Sequence, residues 1–372
     1  GGVFQMSPLL YWSKADLEHN RWPSRTFPDQ VQFEGKTELS ERLQEAGETL
    51  LFLLRPEEVV RMGVFLAPMA GVTDMPFRIL AREYGADLVV SEMVSAQALV
   101  YENRKTINML TLSDLERPTA IQIFGHDPRV CAEAAKIVVE TVEPEMIDLN
   151  FGCPTPKIVK NGDGAALMKN VKLLGEIASE VVAAVSIPVT AKIRLGWDES
   201  SINCVEVTKV LRDAGVHWVT VHARTREQFY SGQANWDWIA RIKQEVGPGF
   251  PIVGNGDVFS PEQGRKLLEQ TNCDHLAIGR GAKGNPWIFR QMKAYMEDGV
   301  ILPEPSLEER IALALRHLQM KVDYDGERRA VREMRPHLAW YLKGVPHSAE
   351  ARRLINTTTS ARGMIEVLKE LL

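Results

Sequence analysis

The sequence predicts a (β/α)8 TIM barrel followed by a C-terminal all-α helical bundle. Three observations carry this. From Val64 onward, eight short β-branched apolar runs alternate with longer helical patterns within about 240 residues. The runs are apolar on both faces, as parallel strands covered on both sides should be. After Pro303-Glu-Pro305 the strand pattern stops and only helical periodicity remains.

The strand runs are 64–68, 87–91, 119–124, 146–150, 188–194, 217–222, 251–255 and 275–279. Helices are expected over 74–85, 97–112, 128–141, 164–184, 200–214, 235–247, 260–270 and 285–298. Asp127-Pro128 and Ser260-Pro261 place a capping side chain just before a proline at the first helical position. A doubly wound sheet would normally place a glycine-rich turn after its first strand. Here that turn is Pro68-Met69-Ala70-Gly71, which is not GxGxxG. Beyond the linker, helices are expected over 306–324, 326–343, 347–356 and 358–371. The expected organisation is therefore 1–62 as an N-terminal extension, 63–302 as the barrel and 306–372 as the helical domain. Residues 1–37 carry scattered Trp, Pro and Phe without period, and 38–54 reads as a helix.

Composition narrows the class. The chain has 372 residues, 45% hydrophobic and 25% charged, with a net charge of −5. No run of about 18 apolar residues offers a membrane span, and the four cysteines lack metal-ligand spacing. A reduced, cytoplasmic setting without metal is expected, and nothing in the sequence demands more than a monomer. Charge is uneven: residues 306–372 hold 12 Lys/Arg against 9 Asp/Glu, whereas 63–305 hold 25 against 30. A basic C-terminal piece on an acidic body hints at a polyanionic partner; ordinary surface charge is the competing reading.

In a barrel the active site lies where the strands end and the βα loops begin. Those ends supply Pro68-Met69-Ala70, Ser91-Glu92-Met93, Gln122, Asn150-Phe-Gly152-Cys153, Lys192 and Arg194, His222-Ala-Arg224, Asn255-Gly256-Asp257 and Gly279-Arg280-Gly281. A lysine inside a core strand is costly unless it meets an anion or polar ligand. The glycine-rich turns after strands seven and eight are where barrels commonly bind phosphate, and Arg280 adds a guanidinium fork. Together with Lys192 and Gln122 these suit flavin mononucleotide, a cofactor that carries the redox step itself. Above such a ring, the Cys153 thiol could protonate one end of a C=C bond while hydride enters the other. A nucleophilic cysteine and an inert buried one are the alternatives.

These residues resemble the tRNA-dihydrouridine synthase family, most closely its bacterial B-type members. The resemblance runs from about Val64 to the C-terminus. It rests on Ala67-Pro-Met-Ala-Gly-Val-Thr-Asp74, Ser91-Glu-Met93, Asp148-Leu-Asn-Phe-Gly-Cys-Pro154, Lys192-Ile-Arg194, His222-Ala-Arg-Thr225, Asn255-Gly-Asp257, and Gly279-Arg280 followed by Gly284-Asn-Pro-Trp-Ile-Phe289.

The resemblance implies reduction of a D-loop uridine in tRNA to 5,6-dihydrouridine, with FMN as cofactor and NADPH as electron donor. Hydride goes from reduced FMN to C6 of the uracil, and Cys153 gives the proton to C5. It further implies FMN contacts at Pro68, Met69, Ala70, Gln122, Lys192, His222, Asn255, Gly256, Asp257, Gly279 and Arg280. A substrate contact is implied at Asn150, and contacts to the substrate or to phosphate at Lys157 and Arg224. The helical domain would bind tRNA, with Arg332 and Arg335 on a helix that mixes cations with aromatics. The target uridine would have to leave its stack. Two departures stand out. Pro336 falls inside that basic helix, where a proline usually kinks the chain, and residues 1–62 replace the short strand pair that leads into the family's first barrel strand.

Overall fold

A computed structural model describes residues 62–372; segment 1–61, with the helix expected at 38–54, lies outside the described residues. The described residues form two compact units that part between Glu304 and Pro305.

The first unit holds nine parallel strands: β1 (Val64–Leu66), β2 (Leu88–Val90), β3 (Val94–Ser95), β4 (Thr119–Phe124), β5 (Met146–Phe151), β6 (Val189–Ile193), β7 (Val219–His222), β8 (Ile252–Asn255) and β9 (His275–Ile278). Their order is β2-β1-β9-β8-β7-β6-β5-β4-β3, and β2 also pairs with β4. That last pairing closes eight strands into a barrel. The two-residue β3 continues along β4 after a break at Ser91–Met93.

Successive side chains of a strand point to opposite faces. One face of the strands fills the barrel floor with Phe65, Leu88, Ala120, Met146, Trp218 and Val253, all buried. Two residues further along β4, β5, β7 and β8 the same face turns polar. Ala120 is followed by Gln122, Met146 by Asp148 and Asn150, Trp218 by Thr220 and His222, and Val253 by Asn255. The register sets Gln122 beside Asp148, Asp148 beside Thr190, and Asn150 beside Lys192. The alternate positions, among them Ile121, Ile123, Ile147, Leu149, Ile193 and Val221, are buried on the other face. The barrel thus has an apolar floor and a polar mouth.

Helices cover the outside largely as expected. Asp127 and Ser260 cap Pro128–Val142 and Pro261–Thr271 by accepting hydrogen bonds from first-turn N–H groups. The helix expected over 97–112 is broken. Glu102 takes a left-handed conformation (φ 53°) and Asn103 caps a new turn, leaving Ala96–Val100, Arg104–Ile107 and a 3-10 turn. The helix expected over 164–184 likewise begins as a 3-10 segment, Gly164–Lys169, before Asn170 caps Val171–Ala184. A short helix not expected, Pro156–Lys160, follows Cys153 directly.

The second unit is four helices: Leu307–Asp325, Glu327–Tyr341, Ser348–Thr357 and Ala361–Lys369. Ser306 and Glu309 form a capping box at its start. Ile311, Leu315, Met334, Leu338, Ile355, Met364 and Leu368 are buried. The buried Lys321 meets Asp325 and Glu333. The helix Glu327–Tyr341 runs through Pro336 rather than ending there.

Candidate active site

The expected mouth residues converge on two adjoining cavities. One is lined by Pro68, Met69, Ala70, Gln122, Asn150, Cys153, Lys192, Arg194, His222 and Tyr230. The other is lined by Met69, Lys192, His222, Asn255, Gly256, Asp257, Gly279 and Arg280. Pro68, Met69, Lys192, His222 and Tyr230 are common to both.

Cys153 is held by a relay of buried side chains. Asn150 Oδ1 accepts from the backbone N–H groups of Gly152 (3.2 Å) and Cys153 (2.9 Å). Asn150 Nδ2 donates to Gln122 Oε1 at 2.8 Å, and Gln122 Nε2 donates to Asp148 Oδ2 at 2.7 Å. Thr190 Oγ1 donates to Asp148 Oδ1 at 2.6 Å. Backbone N–H groups can only donate, so they fix which way each amide faces, and Asp148 ends the relay as an acceptor. Burial pushes the Asp148 carboxyl above its ordinary value, against the opposing hydrogen bonds from Thr190 and Gln122 and the charge of Lys192. On its other side Cys153 accepts at its carbonyl from Ala165 N–H at 3.0 Å. Its thiol, half-buried, lies 3.3 Å from Thr155 Oγ1.

Asn150 was expected to touch substrate. In this geometry its amide is engaged with the Cys153 turn, Gln122 and, at 3.6 Å, Met93 Sδ. Gln122 retains one N–H for a ligand.

The side chains of Lys192 and His222 have no hydrogen-bond partner among the described residues, although both line the cavities. Burial, then the Arg194 charge, lowers the Lys192 ammonium to about 8, against the pull of Asp148 and Cys153. Burial, with the charges of Arg194, Lys192, Arg224 and Arg280, holds His222 well below its ordinary value, so its imidazole is neutral at pH 7.

The second cavity is closed by the turns after β8 and β9. A Cβ on Gly281 would lie 2.2 Å from Val258 O, so only glycine lets these turns touch. Asp257 (φ 57°) accepts from Arg224 at 2.8 and 2.7 Å, from Arg280 at 2.9 Å and from Ala234 N–H at 2.7 Å. Burial alone would raise its carboxyl, but these bonds and charges bring it below the ordinary range. The carboxylate therefore orients Arg280, whose guanidinium also lies 4.4 Å from the Tyr230 ring centroid. Arg224, expected at the substrate or at phosphate, is paired with Asp257 here. It is 1% exposed, and it also donates to the carbonyls of Ser231 and Gly232. It ties the loop after β7 to Asp257. Asn255 Nδ2 donates to Ala277 O at 2.7 Å.

Sequence reasoning left three residues without a role. Arg194 is buried; its Nε donates to Gly152 O at 3.0 Å and its Nη1 to Thr225 O and Phe229 O, each at 2.8 Å. It joins the Cys153 turn to the loop carrying Phe229 and Tyr230, two exposed aromatics at the mouth. Their only sequence signal is an aromatic pair in a βα loop. Lys157 is exposed on the short helix after Cys153. In the helical unit Arg332 is exposed, while Arg335 Nη2 is bonded to Thr358 O at 3.1 Å.

The donors present fit a flavin mononucleotide. Two orphaned polar groups, Lys192 and His222, face a cavity walled by Pro68 and Met69. The adjoining cavity offers glycine turns and Arg280 for a phosphate.

The sequence profile of the family described as dihydrouridine synthase matches residues 65–372. The chain belongs to the dihydrouridine synthase family. It is an enzyme of that class. It is 44% identical to tRNA-dihydrouridine synthase B of Pseudomonas aeruginosa over 305 residues, 80% of this chain and 91% of that one. It is 42% identical to a probable tRNA-dihydrouridine synthase of Rickettsia bellii over 294 residues, 79% and 89% of the two chains. Histamine dehydrogenase from Rhizobium sp. 4-9 superimposes with a TM-score of 0.49 at 15% identity, over 73% of this chain and 51% of that one. Among the described residues no helix is long and apolar enough to cross a membrane.

Proposed function

We propose that this enzyme reduces a D-loop uridine in tRNA to 5,6-dihydrouridine, with FMN bound in the barrel mouth and NADPH as the source of electrons. The observation that carries this is a cysteine thiol facing the same cavity as two orphaned polar groups, Lys192 and His222, next to a glycine- and arginine-lined phosphate cavity. The named relatives support the tRNA substrate, and a cytoplasmic setting fits it.

Pro68, Met69, Ala70, Gln122, Lys192 and His222 would surround the ring of FMN, and Asn255, Gly256, Gly279 and Arg280 its phosphate. When bound, FMN supplies the hydride that enters C6 of the uracil. The chain supplies the rest. Cys153 gives its thiol proton to C5, so the double bond is reduced by one hydride and one proton. Thr155 Oγ1, exposed beside the thiol, offers a path by which solvent returns that proton. Lys192, protonated at pH 7, stabilises the negative charge that builds on the uracil carbonyl before C5 is protonated. Asn150 and Gly152 hold the turn that aims Cys153. The exposed cations Lys157 and Arg332 suit phosphates of the tRNA.

The test is conversion of unmodified tRNA by the FMN-loaded protein with NADPH, read as dihydrouridine by nucleoside mass spectrometry. Cys153→Ala should keep its flavin and lose activity by roughly 100-fold or more. A wild-type rate in that variant removes Cys153 from the mechanism. A wild-type protein that neither binds flavin nor forms dihydrouridine overturns the reading.

A further inference from the structure

Three segments meet on Trp197, at the strand-end face that carries Cys153. Lys169 ends the 3-10 segment whose Ala165 N–H is bonded to Cys153 O. Trp197 follows β6, three residues past the Arg194 that holds Gly152 O. Arg226 lies in the loop after β7; its N–H donates to Gly196 O at 2.9 Å, and Glu227 N–H donates to Trp197 O at 3.0 Å. In consequence Lys169 Nζ lies 4.3 Å, and the Arg226 guanidinium carbon 4.6 Å, from the centroid of one indole ring.

Neither cation meets a carboxylate among the described residues, and Arg226 Nε is a buried donor without an acceptor there. Several partly buried cations elsewhere on the barrel are paired with carboxylates: Arg117 with Glu145, Lys243 with Asp274, Lys293 with Asp87. The acids adjacent in sequence do not serve. Asp198 accepts from Ser200 and Ser201 within its own turn, and Glu227 is exposed. The indole ring offsets part of the cost of holding each cation near it. A bound anion would offset the rest, and Arg226 has donors to give it.

We propose that Lys169, Trp197 and Arg226 form a phosphate subsite for the tRNA backbone next to the target uridine. This rests on the tRNA substrate proposed above. Lys157, exposed just after Cys153 and also without a carboxylate partner among the described residues, extends the subsite along the same rim. Anchoring the backbone here would hold the strand while the uridine is turned out toward Cys153.

The test is tRNA binding by the FMN-loaded protein across a salt series. The double variant Lys169→Gln/Arg226→Gln should raise Kd roughly tenfold at low salt. It should also reduce the slope of log affinity against log salt by about 1 to 2. Flavin content and tRNA-independent NADPH oxidation should be unchanged. Trp197→Leu should raise Kd with the slope kept, because both charges remain. Should the double variant lose its flavin, Lys169→Gln alone, at an exposed side chain, decides by a slope change of about 1. Wild-type Kd and slope in these charge variants overturn the subsite. A wild-type protein that does not bind tRNA overturns the functional reading instead.

Discussion

Replacing Asp148 tests whether the buried relay positions Cys153. Asp148→Leu keeps the branched shape, with more bulk, but removes the acceptor for Gln122 Nε2 (2.7 Å) and Thr190 Oγ1 (2.6 Å). Thr190 can turn to Ile147 O, already 3.5 Å away. Gln122 has no such exit, because turning its amide over would set Nε2 against the donating Nδ2 of Asn150. A buried unsatisfied donor costs about 1–3 kcal/mol, so with partial rescue of Thr190 the loss should be about 2–4 kcal/mol. Release of Asn150 would also loosen the turn that aims the thiol, and misplacement on this scale lowers a rate by roughly 10- to 100-fold. Asp148→Asn is the control. Its carbonyl can still accept from Gln122 while its amide faces the Thr190 hydroxyl, so about 1 kcal/mol or less should be lost. Urea midpoints of the flavin-loaded proteins give the stability term. Steady-state kinetics should show kcat falling in the leucine variant with KM for tRNA within twofold. If the leucine and asparagine variants match in both kcat and midpoint, the relay does not position Cys153.

Lys192 predicts a pH dependence of the flavin-free protein. Its folded value, about 8, lies below the ordinary 10.5, so between these values the unfolded chain binds more protons and stability rises with pH. The cost of burying the charge is fully present below pH 8 and fades toward 10.5. Lys192→Met should therefore be the more stable protein at pH 7, with the gap closing by pH 10 in urea melts; a gap independent of pH refutes the assignment. Gly164 has φ 59°, and a Cβ there would lie 2.8 Å from Cys153 O. Gly164→Ala should cost about 1–3 kcal/mol and lower kcat by displacing the Cys153 turn. Unchanged melting and kcat would show that the turn yields freely.

Much of the fold was legible because buried parallel strands leave continuous apolar runs, and all eight expected runs contain a strand. The two-residue β3 is too short to leave such a signal. The break at Tyr101–Asn103 went unread because the apolar spacing over 97–112 continues across it. Asn103 marks it only through its side-chain bond to Thr106 N–H. The site was legible through strand ends. Arg224 shows what that rule leaves out: the carboxylate that pairs with it is on the next strand's turn. Asp148 is a second case, a residue visible in the motif whose partners, Gln122 and Thr190, lie on neighbouring strands.

The sequence by itself determined the class of barrel, the order of its strands, the cysteine at the fourth strand end and membership of the family. It also set a period of two along each strand. Where both faces of a strand are buried, that period does not say which phase faces inward. Closure of β2 onto β4 and the pairing register decided it. They turned Asp148, Asn150, Gln122, Lys192 and His222 to one interior and set their donors against acceptors. The relay behind Cys153, the buried role of Arg224 and the two cations on Trp197 all follow from that packing, because each joins residues from different strands or loops.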